Sequence, residues 1–407
     1  MTNTSVMLEN KDIVVLGLTR SDAHVIAAGF KISTELARKN RVLYVDHPYN
    51  LLDIIKERKT TGVKRRIKWF FPFVSGLEPK ICDGASMTIL HLPAVFPTNA
   101  LPVGGFYNLF SKINHIMIGL RVKRAMKKLG MIKPIYINCF DFYYPEVVNW
   151  VRPSLSVYFC VDQITKDYSA KHGLRLEKEI MVSSDLVINT SDALFDRNLP
   201  FNRNCEVVHN AADYDHFKMA QEDSLPLHSS MTGLKHPVIG YYGLVERRSD
   251  FNVLINVFKK RNDWTLLLAG PVQWQWVPDE LKKMPNVVFT GKWPYSELPS
   301  ILKGFDVAII PYKRDGVSET IFPLKLYEYL GGGKPVVSLN FSPSVLNRVK
   351  DVVYIAEDAL EFEKKIELAL NEDSQVLIEK RMNIAAENTW ANRGERFGNI
   401  LYKYLVD

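Results

Sequence analysis

Short unbroken apolar runs alternate with amphipathic stretches along nearly the whole chain. The first run, 12–18 (DIVVLGL), has polar residues on both sides and predicts a strand buried on both faces of a parallel sheet. A helix-period stretch at 26–39 and a second run at 41–45 (RVLYV) complete a βαβ unit. The pattern continues with a strand at 87–92, a helix around 112–129, and strands at 134–138, 156–160, 186–190 and 206–209. After a polar, irregular stretch it restarts, with strands at 238–242, 264–269, 286–289, 307–311 and 335–339 and helices at 251–260, 296–302 and 324–330. Such alternation predicts two doubly wound α/β domains.

The boundaries follow from the same pattern. Residues 1–217 form the first Rossmann-like domain, and 218–236, with Pro226 and Gly233, the linker. Residues 237–388 form a second Rossmann-like domain of six strands. The tail is helical, and at 389–407 Trp390, Phe397, Leu401 and Leu405 make an apolar stripe expected to pack back on the first domain. Two such sheets are expected to face a central cleft at their carboxyl edges, where ligands bind in these folds.

Composition adds location. Lysine and arginine number 52 against 45 acids, a net charge of +7. Residues 1–220 hold 29 basic and 21 acidic side chains, leaving 23 and 24 for the rest, so the excess belongs to the first half. Lys56, Arg58, Lys59, Lys64, Arg65, Arg66 and Lys68 lead straight into Trp69, Phe70, Phe71 and Phe73, and Arg121, Lys123, Arg124, Lys127 and Lys128 share a helix. Cations beside exposed rings suit an anionic membrane surface. The alternative is a solvated basic face with Trp69 and the phenylalanines in the core. No RRM, OB or helix-turn-helix pattern accompanies the charge, which argues against nucleic acid.

No run of apolar residues is long enough to span a bilayer, and MTNTSVMLENKD lacks the features of a signal peptide. The expectation is a cytoplasmic protein, peripheral at the inner face of the cytoplasmic membrane. Four scattered cysteines and no clustered histidines predict neither a disulfide framework nor a metal site. No nucleophile with a partnered histidine stands out, and LGLTRSD lacks GxGxxG, which speaks against hydrolase and dehydrogenase chemistry.

The sharpest local signal is FPLKLYEYLGGGKPVV at 322–337. Pro323 suits a helix start, whose free amides, with those near Leu324, form an anion site. Lys325 adds a charge there, and Glu328 sits one turn on, within reach of a ribose diol. An ordinary amphipathic helix is the alternative on spacing alone. Together with PNVVFTGKWPYSELPSILKGFDVAIIPY, VIGYYGLVERRSDFNVLINVF and EVVHNAADYDHF, this stretch resembles the nucleotide-sugar half of bacterial GT-B glycosyltransferases. The resemblance is to retaining, family-four-like enzymes of polysaccharide synthesis, including teichuronic-acid-type transferases. RVLYVDHP, VYFCVDQ and SSDLVINTSDAL are similar to the acceptor-side domain of that group.

The resemblance implies transfer of a sugar from a UDP- or GDP-linked donor to a polysaccharide or lipid-linked acceptor, retaining and without metal or cofactor. It implies that Glu328 binds the donor ribose, that Lys325 with Pro323 and Leu324 cradles the diphosphate, and that Trp293 lies near the nucleobase. Arg247 and Arg248, after Gly243, would hold phosphate and offset leaving-group charge. Two positions depart from the family pattern. Its first glutamate would fall at Thr320, with Glu319 one place earlier, and the arginine after the loop glycine is Leu244. On the acceptor side, Asp162 at a strand end is either a sugar contact or a helix cap. Asp141, Tyr143, Arg20, Ser21, Asp22 and His24 have similar standing. A non-hydrolysing sugar-nucleotide epimerase and a non-catalytic nucleotide-sugar-binding scaffold are the alternatives.

Overall fold

The computed structural model describes residues 8–23, 27–71, 73–165, 167–372 and 374–406. The chain divides into two compact units, one running to His209 and resuming at Arg393, the other Asn210–Asn392.

The first unit holds an eight-stranded sheet: β1 (Asp12–Gly17), β2 (Arg41–Asp46), β3 (Leu77–Cys82), β4 (Ala85–Leu90), β5 (Ile135–Cys139), β6 (Leu155–Cys160), β7 (Leu186–Asn189) and β8 (Cys205–Val207). Their order is β3-β4-β2-β1-β5-β6-β7-β8, and every pairing is parallel except β3 with β4. β5 and β6 are buried at every position, as their unbroken apolar runs require. Val14, Leu16, Leu43 and Val45 pack against Ile118 and Val122 of the helix Gly105–Leu129. That helix stops at Gly130, which takes φ +64° and donates to the carbonyls of Lys127 and Met126.

β3 is absent from the sequence reading. It is an antiparallel edge strand containing Pro79, with Ile81 exposed, so neither a continuous apolar run nor clean alternation announces it. The final helix, Trp390–Val406, lies in the first unit from Arg393 onward. There Phe397 meets the Phe159 ring edge-on at 5.1 Å, and Lys403 reaches Glu206 at 3.0 Å.

The second unit holds β9 (Val238–Tyr242), β10 (Thr265–Ala269), β11 (Val287–Gly291), β12 (Val307–Ile310), β13 (Val336–Leu339) and β14 (Val353–Ala356), all parallel, in the order β11-β10-β9-β12-β13-β14. β14 supplies the sixth strand that the apolar runs leave unidentified. The segment 218–236, expected as the domain linker, belongs to this unit and is pinned to it. Lys303 Nζ donates to the carbonyls of Glu222 and Leu225, and His228 pairs with Glu297 at 2.9 Å. Most of this stretch is nevertheless solvent-exposed, with Ala220 and Met231 buried, so its polarity reflects exposure while a few hydrogen bonds tie it to the unit's helices.

Candidate functional site

In the second sheet, the chain leaves β9 toward β10 and β11 on one side and returns to β12 on the other. The carboxyl ends of β9 and β12 therefore flank the point where strand order reverses, the usual ligand position in an open α/β sheet. Three segments gather there: the loop from Gly243, the loop from Pro311, and the helix Leu324–Gly331.

The packing of these segments is tight. Gly243 takes φ +127°, and a Cβ on it would lie 3.0 Å from Lys325 Nζ. Gly270, after β10, takes φ +149°, and its Cβ would lie 2.0 Å from the Gly243 carbonyl oxygen. Backbone thus presses on backbone where only glycine fits. Gly270→Ala is expected to destabilise the protein by about 2 kcal/mol or more, read by denaturant unfolding. A stability unchanged within error would show that the loop relaxes freely.

The helix Leu324–Gly331 begins after Pro323, and no side chain caps it, so its first amides remain open to an anion. Leu326, Tyr327, Tyr329 and Leu330 bury its inner face, which fixes the direction of Lys325. The Lys325 ammonium donates to Tyr312 Oη at 2.6 Å and to Tyr241 Oη at 3.3 Å, and lies 5.1 and 4.8 Å from those ring centroids. Burial alone would raise the Tyr312 hydroxyl, but Lys325 and Arg248 outweigh it and hold that pKa below its ordinary value. Tyr241, without so close a cation, is raised by burial and by Tyr312. The lysine is therefore held by hydroxyls and ring faces and makes no ion pair among the described residues; Glu328 feels its charge without direct contact.

Glu328, one turn on, is 7% exposed. Burial lifts its pKa to about 7, against the opposing pull of the Tyr242 hydroxyl and Lys325; Asp213 adds to the rise.

The other residues named from the sequence are more scattered. Arg247 is half-buried and has no ion-pair or hydrogen-bond partner among the described residues. Arg248 is paired with Glu246 and lies 5.7 Å from the Tyr312 ring centroid, which ties it to the lysine's support. Glu319 sits on the turn Ser318–Thr320, with its carboxylate 43% exposed and 3.5 Å from Arg314. Trp293 follows the edge strand β11, donates to Thr290 at 2.9 Å and meets His228 edge-on at 4.2 Å. Asp162 is exposed at the end of β6 and accepts from the Gln163 amide at 2.8 Å.

Sequence reasoning misses Tyr241 and Tyr312, which read as apolar strand residues. It also misses Trp274 and Trp276, each about half exposed on the loop after β10, whose Gln273 amide bonds the Val245 carbonyl. Their signal was available: tryptophans beside prolines after a strand end.

In the first unit the order reverses between β1 and β5. Asp141, fully buried after β5, accepts from His47 Nδ1 at 2.8 Å while its other oxygen has no hydrogen-bond partner among the described residues. Tyr143 donates to Ser169 at 3.3 Å. Arg20, Ser21 and Asp22 are engaged with the protein itself: Arg20 bonds the His47 and Pro48 carbonyls, Ser21 bonds Asp46, and Asp22 pairs with Arg66. His24 lies outside the described residues.

The basic cluster needs correction. Arg66 is buried and bonded to Asp22 and Asp46, Arg65 pairs with Glu78, and Trp69 stacks on His91 at 3.8 Å. Val63, Arg66 and Trp69 recur every three residues on the buried side, so this arginine belongs to the packed face. Arg121 is likewise buried, donating to main-chain carbonyls. Lys56, Arg58, Lys59, Lys64, Lys68, Phe71 and Phe73 are exposed. Among the described residues, no group of three or more His, Cys, Asp and Glu side chains could hold a metal.

Known proteins supply independent comparison. Residues 236–372 match the family described as "Glycosyl transferases group 1". A protein of Bacillus subtilis (strain 168) named as a teichuronic acid biosynthesis glycosyltransferase is 31% identical over 228 residues, which are 53% of this chain and 56% of that protein. The match thus spans about half the length of that curated relative. Among solved structures, sucrose-phosphate synthase from Thermosynechococcus elongatus has a TM-score of 0.65 at 15% identity, covering 98% of this chain and 99% of that one. A trehalose-6-phosphate protein from E. coli, bound with UDP-2-fluoro glucose, has a TM-score of 0.65 at 11% identity over 97% of this chain and 99% of that one. HepE of Anabaena, in complex with UDP and glucose, has 0.63 at 12% identity over 97% and 100%. At these identities the likeness establishes the fold.

Proposed function

We propose, for a chain whose residues 236–372 match the glycosyl transferases group 1 family and whose fold is that of GT-B enzymes, that it transfers a sugar from a nucleoside diphosphate to a polysaccharide or lipid-linked acceptor in cell-surface polysaccharide synthesis. The observation that carries this reading is Lys325, an ammonium with no ion pair among the described residues at an uncapped helix start, beside Gly243 at the sheet's reversal point. A diphosphate has the charge and size to take the open amides of Leu324 and Lys325. Glu328 then receives the ribose diol, and the nucleobase lies toward Trp293.

In the reaction, the acceptor hydroxyl oxygen bonds to the anomeric carbon from the same face the diphosphate leaves, the bond from that carbon to the diphosphate oxygen breaks, and the hydroxyl proton passes to that departing oxygen. Lys325, Arg247 and Arg248 offset the charge that gathers on the departing nucleoside diphosphate, so no metal is required. Configuration is retained at the anomeric carbon. Glu319 contacts the sugar after leaving Arg314, and Asp162 contacts the acceptor.

The first unit meets an anionic membrane surface at the inner face of the cytoplasmic membrane. The exposed lysines near Phe71 and Phe73 support this. No helix among the described residues is long and apolar enough to cross a membrane.

A thermal-shift screen of UDP-, GDP- and dTDP-sugars tests the donor reading. Donor at a hundred times its Kd is expected to stabilise by about 2.7 kcal/mol, several degrees in Tm. No shift with any of the three would contradict it. Interconversion of donors in the absence of an acceptor would favour an epimerase instead.

A further inference from the structure

The first unit contains a charged cavity that the sugar-transfer chemistry does not use. Its volume is about 140 Å3, and its walls include Phe73, Val74, Arg121, Arg124 and Lys128. That is too small for a sugar nucleotide, since pockets for ligands of such size begin near roughly 300 Å3. Arg121, Arg124 and Lys128 lie three and four residues apart on one face of the helix Gly105–Leu129.

Arg121 is the unusual member. It is 2% exposed, and its terminal nitrogens donate to the carbonyls of His91, Trp69 and Phe71, while its Nε has no hydrogen-bond partner among the described residues. No carboxylate lines the cavity. Glu78, next to the lining residue Leu77, is already engaged by Arg65 and His91. Gly76 admits the guanidinium: it takes φ +71°, and a Cβ there would lie 2.5 Å from Arg121 Nη1. A buried cation without a counter-ion is costly unless a ligand supplies one. Burial, and then Arg124, pull the Arg121 pKa down to about 10, the direction expected of a charge lacking compensation. Around the cavity, Phe71 and Phe73 are 64% and 90% exposed, although phenylalanine is ordinarily sheltered.

We propose that this cavity binds the phosphate of an anionic lipid headgroup, with Arg124 and Lys128 meeting the phosphate oxygens, the buried Arg121 supplying charge behind them, and Phe71 and Phe73 entering the acyl boundary. Charge complementarity selects the phosphate, and the exposed rings beside it select a lipid rather than a soluble anion. The inference rests on the membrane-surface reading and sharpens it: binding is localised to one pocket rather than spread over the basic surface.

The test compares sedimentation with phosphatidylcholine vesicles, with and without phosphatidylglycerol, for the wild type and two double variants. Arg124→Gln/Lys128→Gln removes two exposed charges from the pocket, and Lys56→Gln/Lys59→Gln removes two exposed charges elsewhere. Two charges that meet the phosphate, at about 1 kcal/mol each, are expected to cost the pocket variant about 30-fold in binding to phosphatidylglycerol vesicles, whereas the control, whose two charges do not reach the phosphate, should lose clearly less. Equal losses would overturn the pocket while leaving general membrane attraction intact. Wild type that ignores phosphatidylglycerol would overturn both. A thermal shift with inorganic phosphate that depends on Arg124 and Lys128, without vesicle binding, would assign the site to a soluble phosphate and overturn the lipid.

Discussion

Lys325→Ala is expected to lower kcat/KM for sugar transfer by about 100- to 1,000-fold, the loss typical when one preorganised donor to a developing oxyanion is removed. Its hydrogen-bond partners are the Tyr312 and Tyr241 hydroxyls, so the substitution breaks no ion pair among the described residues, although it removes the charge that opposes the rise of the Glu328 pKa. The fold should therefore survive, and far-UV circular dichroism with denaturant unfolding separates lost chemistry from lost structure. A folded variant with near wild-type turnover would remove Lys325 from the reaction.

Glu328 carries the second large effect, and it depends on pH. Burial raises its folded pKa from 4.5 to about 7, so the folded protein holds this proton more tightly than the unfolded chain does. Its contribution to stability is therefore full below about pH 4.5 and falls away as pH rises to about 7, a loss of about 3 kcal/mol. Glu328→Gln, which cannot ionise, is expected to match the wild type near pH 4.5 and to exceed it by up to about 3 kcal/mol above pH 7. Donor binding should move the opposite way. An ionised carboxylate accepting the ribose diol gains with rising pH, and the variant should bind donor about 10- to 100-fold more weakly at pH 8, with a flat pH profile. Denaturant unfolding at pH 5 and 8, beside calorimetric donor titrations, reads both arms. Identical pH profiles in wild type and variant would exclude Glu328 from the effect.

The parallel core of both sheets is legible in the sequence because a strand covered on two faces has no polar position to confuse the pattern. VIGYY, TLLLA and VAII are fully buried strands and read as such. The edges are not. β3 and β14 are short or half-covered, and their residues answer to neighbours far away in sequence. In the site, Lys325 and Glu328 stand out because Pro323 and the following glycines punctuate their helix. Tyr241 and Tyr312 do not, since they occupy apolar strand ends and reach the lysine across 84 and 13 residues. Net charge misleads for a different reason. It counts Arg66 and Arg121 with the exposed lysines, yet both are buried on packed helical faces. The period of the surrounding residues, Val63 to Arg66 to Trp69, carries the information that the charge count lacks.

Amide hydrogen exchange with and without a saturating nucleoside diphosphate most directly tests where the donor binds. Slowed exchange is expected in the loop after β9 through residue 249 and across the start of the helix Leu324–Gly331, with the first unit's β3 and β4 unchanged. Binding that leaves both of those segments unprotected would contradict the assignment of the donor site.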